Sequence, residues 1–181
     1  MSAGHGVPQR EIRKMDTFDF SDGNGPTMAT RHINSDGTIG GWVAATATVA
    51  QTAHLGALVK VFGYSEVSGR AHVTGNARVS GNARVSGNAR VSGNARVSED
   101  AEVYGEVEVS GNAWVGGDAW VHGSARVFGD ACVFGDAEVS EGAQISGNAW
   151  VHGDAEVSGT AQISGNACVS GDTEVSEGLW F

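Results

Sequence analysis

The chain has 181 residues, 28 of them glycine, and only 18% of its residues are charged. From about residue 45 glycine recurs in nearly every group of six, which would be costly throughout a helix or an ordinary strand, so helical bundles and β-sandwiches are excluded. The formal net charge of −10 conceals an asymmetry: residues 60–98 hold six basic groups against Glu66 alone, and residues 99–181 hold fifteen acidic groups against Arg126 alone.

Residues 1–40 form a head segment with no clear period. It is rich in Gly and Asp and carries both prolines, Pro8 and Pro26. A disordered tail, a cap on the segment that follows and an oligomerisation arm all fit such a composition. The first fourteen residues are polar and mixed in charge, so no secretory leader is expected. The stretch from Gly37 to Val59 carries no Asp, Glu, Lys or Arg and is long enough to suggest a membrane span. Its Thr, Gln, His and Gly content argues against that, and a soluble, cytoplasmic protein with no membrane partner is expected.

From residue 41 to residue 181 the chain repeats every six residues. Four consecutive hexads are identical, beginning Gly75-Asn76-Ala77-Arg78-Val79-Ser80 and ending at Ser98. A small residue, usually Ala, falls at each sixth position from Ala47, and a branched apolar residue follows two positions later. Small–x–Val has period two, so both members point inward and x points outward. The next pair is mostly Gly-Asn or Gly-Asp, which tolerates the left-handed backbone of a sharp corner. A period of six holds one short strand and one corner. Three such units close a triangular coil of eighteen residues, and stacked coils hydrogen-bond as parallel strands roughly 4.8 Å apart. The expected architecture is an all-β solenoid of nearly eight coils, a prism on the order of 35–40 Å long. Each buried Val contributes roughly 1.5–2 kcal/mol, summed along the axis.

The V-S-G-N-A-R pattern, as in Val79-Ser80-Gly81-Asn82-Ala83-Arg84, resembles the hexapeptide-repeat proteins over about three quarters of the chain. That resemblance implies a single-stranded, left-handed parallel β-helix, although the general crossover rule would favour the opposite hand. It also implies a homotrimer with faces packed about a three-fold axis. The lead-in Asp36-Gly37-Thr38-Ile39-Gly40-Gly41-Trp42-Val43 is similar to uncharacterised repeat proteins of bacteria and their phages.

Outward positions eighteen apart share a face. The first face runs from His54 and His72 through Arg90, Glu108 and Arg126 to Trp180; the second holds Glu66, Arg84, Glu102, Trp120, Glu138, Glu156 and Glu174. The third reads Trp42, Lys60, Arg78, Arg96, Trp114, Cys132, Trp150 and Cys168. The residue after each Val also points outward near an edge, which adds Phe134 and His152 to the third face and Tyr104 and His122 to the second. Trp114, Cys132, Phe134, Trp150 and His152 therefore form an exposed aromatic patch, which soluble monomers seldom leave bare. A subunit interface and a ligand site with a planar ring stacked on Trp both fit it; Trp120 and His122 are the second-face candidates.

Other constellations are weaker. Cys132 and Cys168 lie two coils apart, about 9–10 Å at the coil spacing, too far for a disulfide; free thiols fit a reducing compartment. His54 and His72 stack, but two ligands without a third make a weak metal site. The arginines of the identical hexads split over three faces, so no one-sided nucleic-acid stripe is expected. Acyltransferases of the resembled family draw a catalytic His and loops that break the coils. Here the register is expected to run from 47 to 179 unbroken, and no Ser/His/Asp or Cys/His pairing is expected to share an edge. No catalytic residue, cofactor or metal is therefore assigned. The favoured reading is a non-catalytic, oligomeric binding or sequestering protein that captures a small ligand or a protein partner, with a phage-encoded inhibitor of a host defence component as one setting. An acyl-CoA-dependent transferase and a structural rod or spike are the alternatives.

Overall fold

The computed structural model describes residues 16–181. Three longer strands come first: β1 (Asp16–Asp19), β2 (Pro26–Ile33) and β3 (Ile39–Ala44). Twenty-three two-residue strands follow, from Thr48–Val49 to Leu179–Trp180. They stack as three parallel sheets, one per face of the prism, with partners eighteen residues apart as in Glu66–Arg84–Glu102. The chain is thus an all-β solenoid of about eight turns.

The hexad dictates each turn. Ala and Val side chains point to the axis and are fully buried along almost the whole prism. Between them a corner glycine takes a left-handed backbone, as Gly93 does at φ 69°. Among the described coil residues, Glu99 (φ 63°) and Glu141 (φ 55°) adopt this left-handed backbone with a side chain. Glu99 turns its carboxylate to the coil above and accepts the Gly117 N–H at 2.6 Å, a use of the side chain that offsets the cost of its backbone.

The described part of the head, residues 16–40, closes the first end. Strands β1 and β2 pair antiparallel, β2 pairs antiparallel with β3, and β3 joins Lys60–Val61 in parallel, so the third-face sheet has ten strands. Across the first-face edge, the Asn34 side chain accepts the Leu55 N–H at 2.9 Å and donates to the Leu55 carbonyl at 3.0 Å. The buried ring of His32 lies 3.2 Å from the Ala53 carbonyl. Backbone groups that an open solenoid end would leave bare are satisfied there. The aromatic end of β1 also folds over the outer third face: Phe18 stacks on Trp42 at 4.6 Å and Phe20 on Phe62 at 5.0 Å. Residues 1–15 of the head lie outside the described residues.

The last coil departs from the expected register. Leu179 pairs with Gln162 and Trp180 with Ile163, so this turn is seventeen residues long instead of eighteen. Trp180 therefore does not continue the outward row of His54 and His72; it stands above Ile163 in the Val position. The reason is size: an unbroken register would put Leu179 in a slot that is usually Ala and elsewhere holds nothing larger than Val59 or Val107, and the one-residue slip places Gly178 there.

The stacking glycines are testable. A Cβ at Gly93 would lie 2.7 Å from the carbonyl oxygen of Gly111, whereas one at Gly171, at φ 63° in the last coils, meets nothing within 4 Å. Gly171→Ala should cost about 1–2 kcal/mol from its backbone alone. Gly93→Ala should cost about 2–4 kcal/mol, because overpacking adds to the same strain. Urea unfolding of the two variants checks this, and equal losses would show that coil stacking does not require the glycine.

Candidate binding face

The third face places its outward residues in two adjoining columns. Register pairing aligns Trp114, Cys132, Trp150 and Cys168 in one. The positions after each Val supply the other, with Ser98, Gly116, Phe134 and His152. The five residues expected to form the patch do come together. Phe134 is the hub: its ring stacks on His152 at 4.9 Å and on Trp114 at 6.1 Å, and meets Trp150 edge-on at 5.7 Å. Trp114 is 36% exposed and Trp150 49%, so both indoles offer a surface to solvent while Phe134 is half-buried between them. Cys132 lies half-buried in the row that joins the two tryptophans.

Local details hold the rings in place. The Trp114 indole N–H donates to the Ser98 hydroxyl at 2.9 Å. To reach it the ring lies over Gly116, where a Cβ would come within 2.7 Å of Nε1. Any other residue at 116 would push the indole off its seat. This constraint was not visible in the hexad pattern, where Gly116 merely replaces the commoner Ser.

Trp120 and His122 belong to a separate cluster on the second face. Trp120 stands in register between Glu102 and Glu138 and is half exposed. The His122 ring stacks on Tyr104 at 5.0 Å and its Nε2 sits 2.7 Å from the Glu138 carboxylate. Burial, with the Glu138 and Glu102 charges, holds the Tyr104 hydroxyl above its ordinary pKa.

The expectation that no Cys/His pair shares an edge is corrected. His152 Nε2 and Cys168 Sγ are 3.4 Å apart. The two lie sixteen residues apart, so the His of one coil leans diagonally across to the Cys of the next, a contact that eighteen-residue columns do not display. Both cysteines are free thiols, as expected. They differ in surroundings: Cys132 is raised above its ordinary pKa by burial and by the nearby Asp130 carboxylate.

His54 and His72 stack at 4.9 Å. Among the described residues no group of three or more His, Cys, Asp or Glu side chains is placed to hold a metal ion. Among the described residues no helix is long and apolar enough to cross a membrane. Two further features escaped the sequence reading. One is an amide ladder along a corner, where Asn76 donates to Asn94, Asn94 to Asn112 and Asn112 to Asp130, at 3.1, 2.9 and 2.8 Å. Their spacing of eighteen was the available signal. The other is a depression beside Trp114, lined also by Phe62, Arg78 and Arg96.

Comparison with known proteins adds to the fold. Residues 77–92, 89–105 and 161–177 match the family model described as YdcK Beta solenoid repeat. The likeness covers the repeat, in two separate parts of the prism. No curated protein and no solved structure matches the chain.

The two thiols should react at different rates. Alkylation by iodoacetamide, followed by peptide mass analysis near neutral pH, should label Cys168 several-fold faster than Cys132, whose raised pKa leaves less thiolate. Raising the pH should narrow the gap as Cys132 ionises. His152→Ala should slow Cys168 and leave Cys132 unchanged; equal labelling of both thiols in the unmodified protein would contradict the assignment.

Proposed function

We propose that this chain is a non-catalytic binding protein of the cytoplasm. In this reading it assembles as a homotrimer and uses the aromatic ladder of its third face to capture a small ligand or a host protein. The observation that carries the reading is the contiguous, solvent-facing cluster of Trp114, Phe134, Trp150 and His152. Indole and phenyl surfaces are costly to leave in water and favour a planar or apolar partner. The resemblance of the hexads to hexapeptide-repeat proteins supports the trimer, and the likeness of the lead-in to bacterial and phage repeat proteins suits a role in sequestering a host component. Free thiols fit a reducing compartment.

The binding reading has the advantage over a structural rod because the two ends differ. Head residues occupy the third-face and first-face edges of the first coil, and among the described residues only the two-residue second-face strand Thr48–Val49 keeps a free edge there, too little for coils of separate molecules to propagate through. An acyltransferase reading has the His152–Cys168 contact in its favour, yet the coils around that contact keep their register and build no enclosing loop.

Phe134→Ala/Trp150→Ala removes the hub and its most exposed neighbour while leaving the inward Val and Ala rows untouched. Truncating aromatic anchors of this kind costs about 2 kcal/mol or more at an interface. Native mass spectrometry of the unmodified protein should show a trimer, with or without a co-purified mass, and the double variant should lose the trimer or the added mass at an unchanged unfolding midpoint. A variant that keeps both would remove the aromatic face from the function.

A further inference from the structure

The third face changes character along its length. On the first face Arg126 lies 4.0 Å from Glu108, and on the second Arg84 donates to Glu102 at 2.8 Å. The third-face row from Trp42 to Cys168 contains no carboxylate, and Lys60, Arg78 and Arg96 stand directly above one another. Like charges paired across strands are destabilising. Lys60 is absorbed by the head: its ammonium donates to the Phe20 carbonyl at 3.4 Å and lies 5.2 Å from the centre of the Phe18 ring. Arg78 and Arg96 have no ion-pair partner among the described residues. Asp22 feels the charge of Arg78, but the hydrogen bonds that lower its pKa come mainly from Asn24.

These two guanidinium groups line a depression of about 290 Å³. One end is the Phe62 ring, braced from behind by Phe20. The other is the Trp114 indole, fixed by its hydrogen bond to Ser98. Between them the outer column narrows to Ser80 and Ser98, so hydroxyl groups and open space replace the large side chains found on either side.

We propose that this depression binds a small planar ring compound carrying a phosphate, of the size of a nucleoside monophosphate. Two arginines in register on adjacent coils line the depression, and their guanidinium groups supply several N–H donors of the kind that suits phosphate oxygens. They are held beside aromatic surfaces on which a ring can stack. The volume sets the scale: it lies at the small end for ligand sites and holds one nucleotide-sized molecule. A polymer is disfavoured, because the free cationic strip is only two arginines long and the acidic half of the prism lies beyond it. The proposal deepens the binding reading above, yet shares only Trp114 with the aromatic ladder, so the two can fail separately.

Adenosine 5′-monophosphate is the probe, titrated into the full chain and followed by calorimetry and by tryptophan fluorescence. Saturable binding below about 1 mM is expected, with adenosine alone and inorganic phosphate alone each at least about tenfold weaker. Arg78→Ala/Arg96→Ala should weaken the nucleotide about tenfold or more without lowering the unfolding midpoint, since both side chains point outward and their removal relieves like-charge repulsion. Trp150→Ala should leave nucleotide affinity unchanged even where it disturbs assembly. No saturation at millimolar nucleotide, or equal affinity in the double arginine variant, would overturn the proposal. Equal binding of inorganic phosphate and nucleotide would overturn recognition of the ring. If the nucleotide fails while the Phe134/Trp150 variant still changes assembly or bound mass, the aromatic-face reading stands without this site.

Discussion

Backbone hydrogen bonds between successive coils hold everything else in place. In a typical unit the Arg84, Ser86 and Asn88 N–H groups donate to the Ala101, Val103 and Gly105 carbonyls at 2.9, 2.9 and 2.8 Å. Repeated along the prism, these bonds fix the rise from coil to coil, and with it the space available inside and at the edges. The inner slots admit Ala and Val, with Ile145 and Ile163 as larger variants. The corners bring backbone so close to backbone that a Cβ at most corner glycines would press on the coil above. A protein held this tightly by its main chain has little freedom in its core and nearly complete freedom on its surface. The binding function proposed above would therefore have to be written in the outward rows.

Those rows follow different physical programmes. The first and second faces set arginine against glutamate, which lowers repulsion and keeps the surface hydrated. One corner carries an amide ladder, each Asn donating to the next, that ends on the acceptor-only carboxylate of Asp130. The third face keeps neither device: Arg78 and Arg96 have no ion-pair partner among the described residues, Trp114 and Trp150 face solvent, and both departures fall next to each other around Trp114. The head strands strengthen the contrast, since Phe18 and Phe20 cover Trp42 and Phe62 but stop short of Arg78.

The fold was legible because its cause is a period, and a period survives in the primary sequence. The face assignments followed by counting eighteens, which is why Trp114, Cys132 and Trp150 could be placed in one row. Contacts that break the column rule could not be counted. The side chains of His152 and Cys168 meet along a diagonal of sixteen residues, and the Trp114 indole bends onto Ser98, again sixteen residues away. Both depend on which way a side chain leans, and the hexad pattern says nothing about rotamers. The head was opaque for a different reason. Its strands are antiparallel and irregular, and β2 shifts register against β3 between Arg31 and Ile33, so no single period describes them. The last coil misled because hexad counting ignores volume: Leu179 is in phase but too large for its slot.

A repeat of six wound three to a turn has a further consequence for how recognition is built. Copying a hexad spreads the same outward residue over all three faces, as the arginines of the four identical units show. Such duplication lengthens the prism but creates no one-sided surface. A binding face requires changes spaced by eighteen, or by sixteen where side chains lean, and these must depart from the hexad consensus. Trp114, Cys132, Phe134, Trp150 and His152 are departures of that kind, and so is Gly116, whose missing Cβ seats the first indole. Arg78 and Arg96 are unaltered copies; what singles them out is position, since the Glu that answers Arg84 has no counterpart above Arg96, where Trp114 stands instead. The same substitution thus begins the aromatic ladder and leaves the arginines unpaired, which ties the two halves of the third face to one residue.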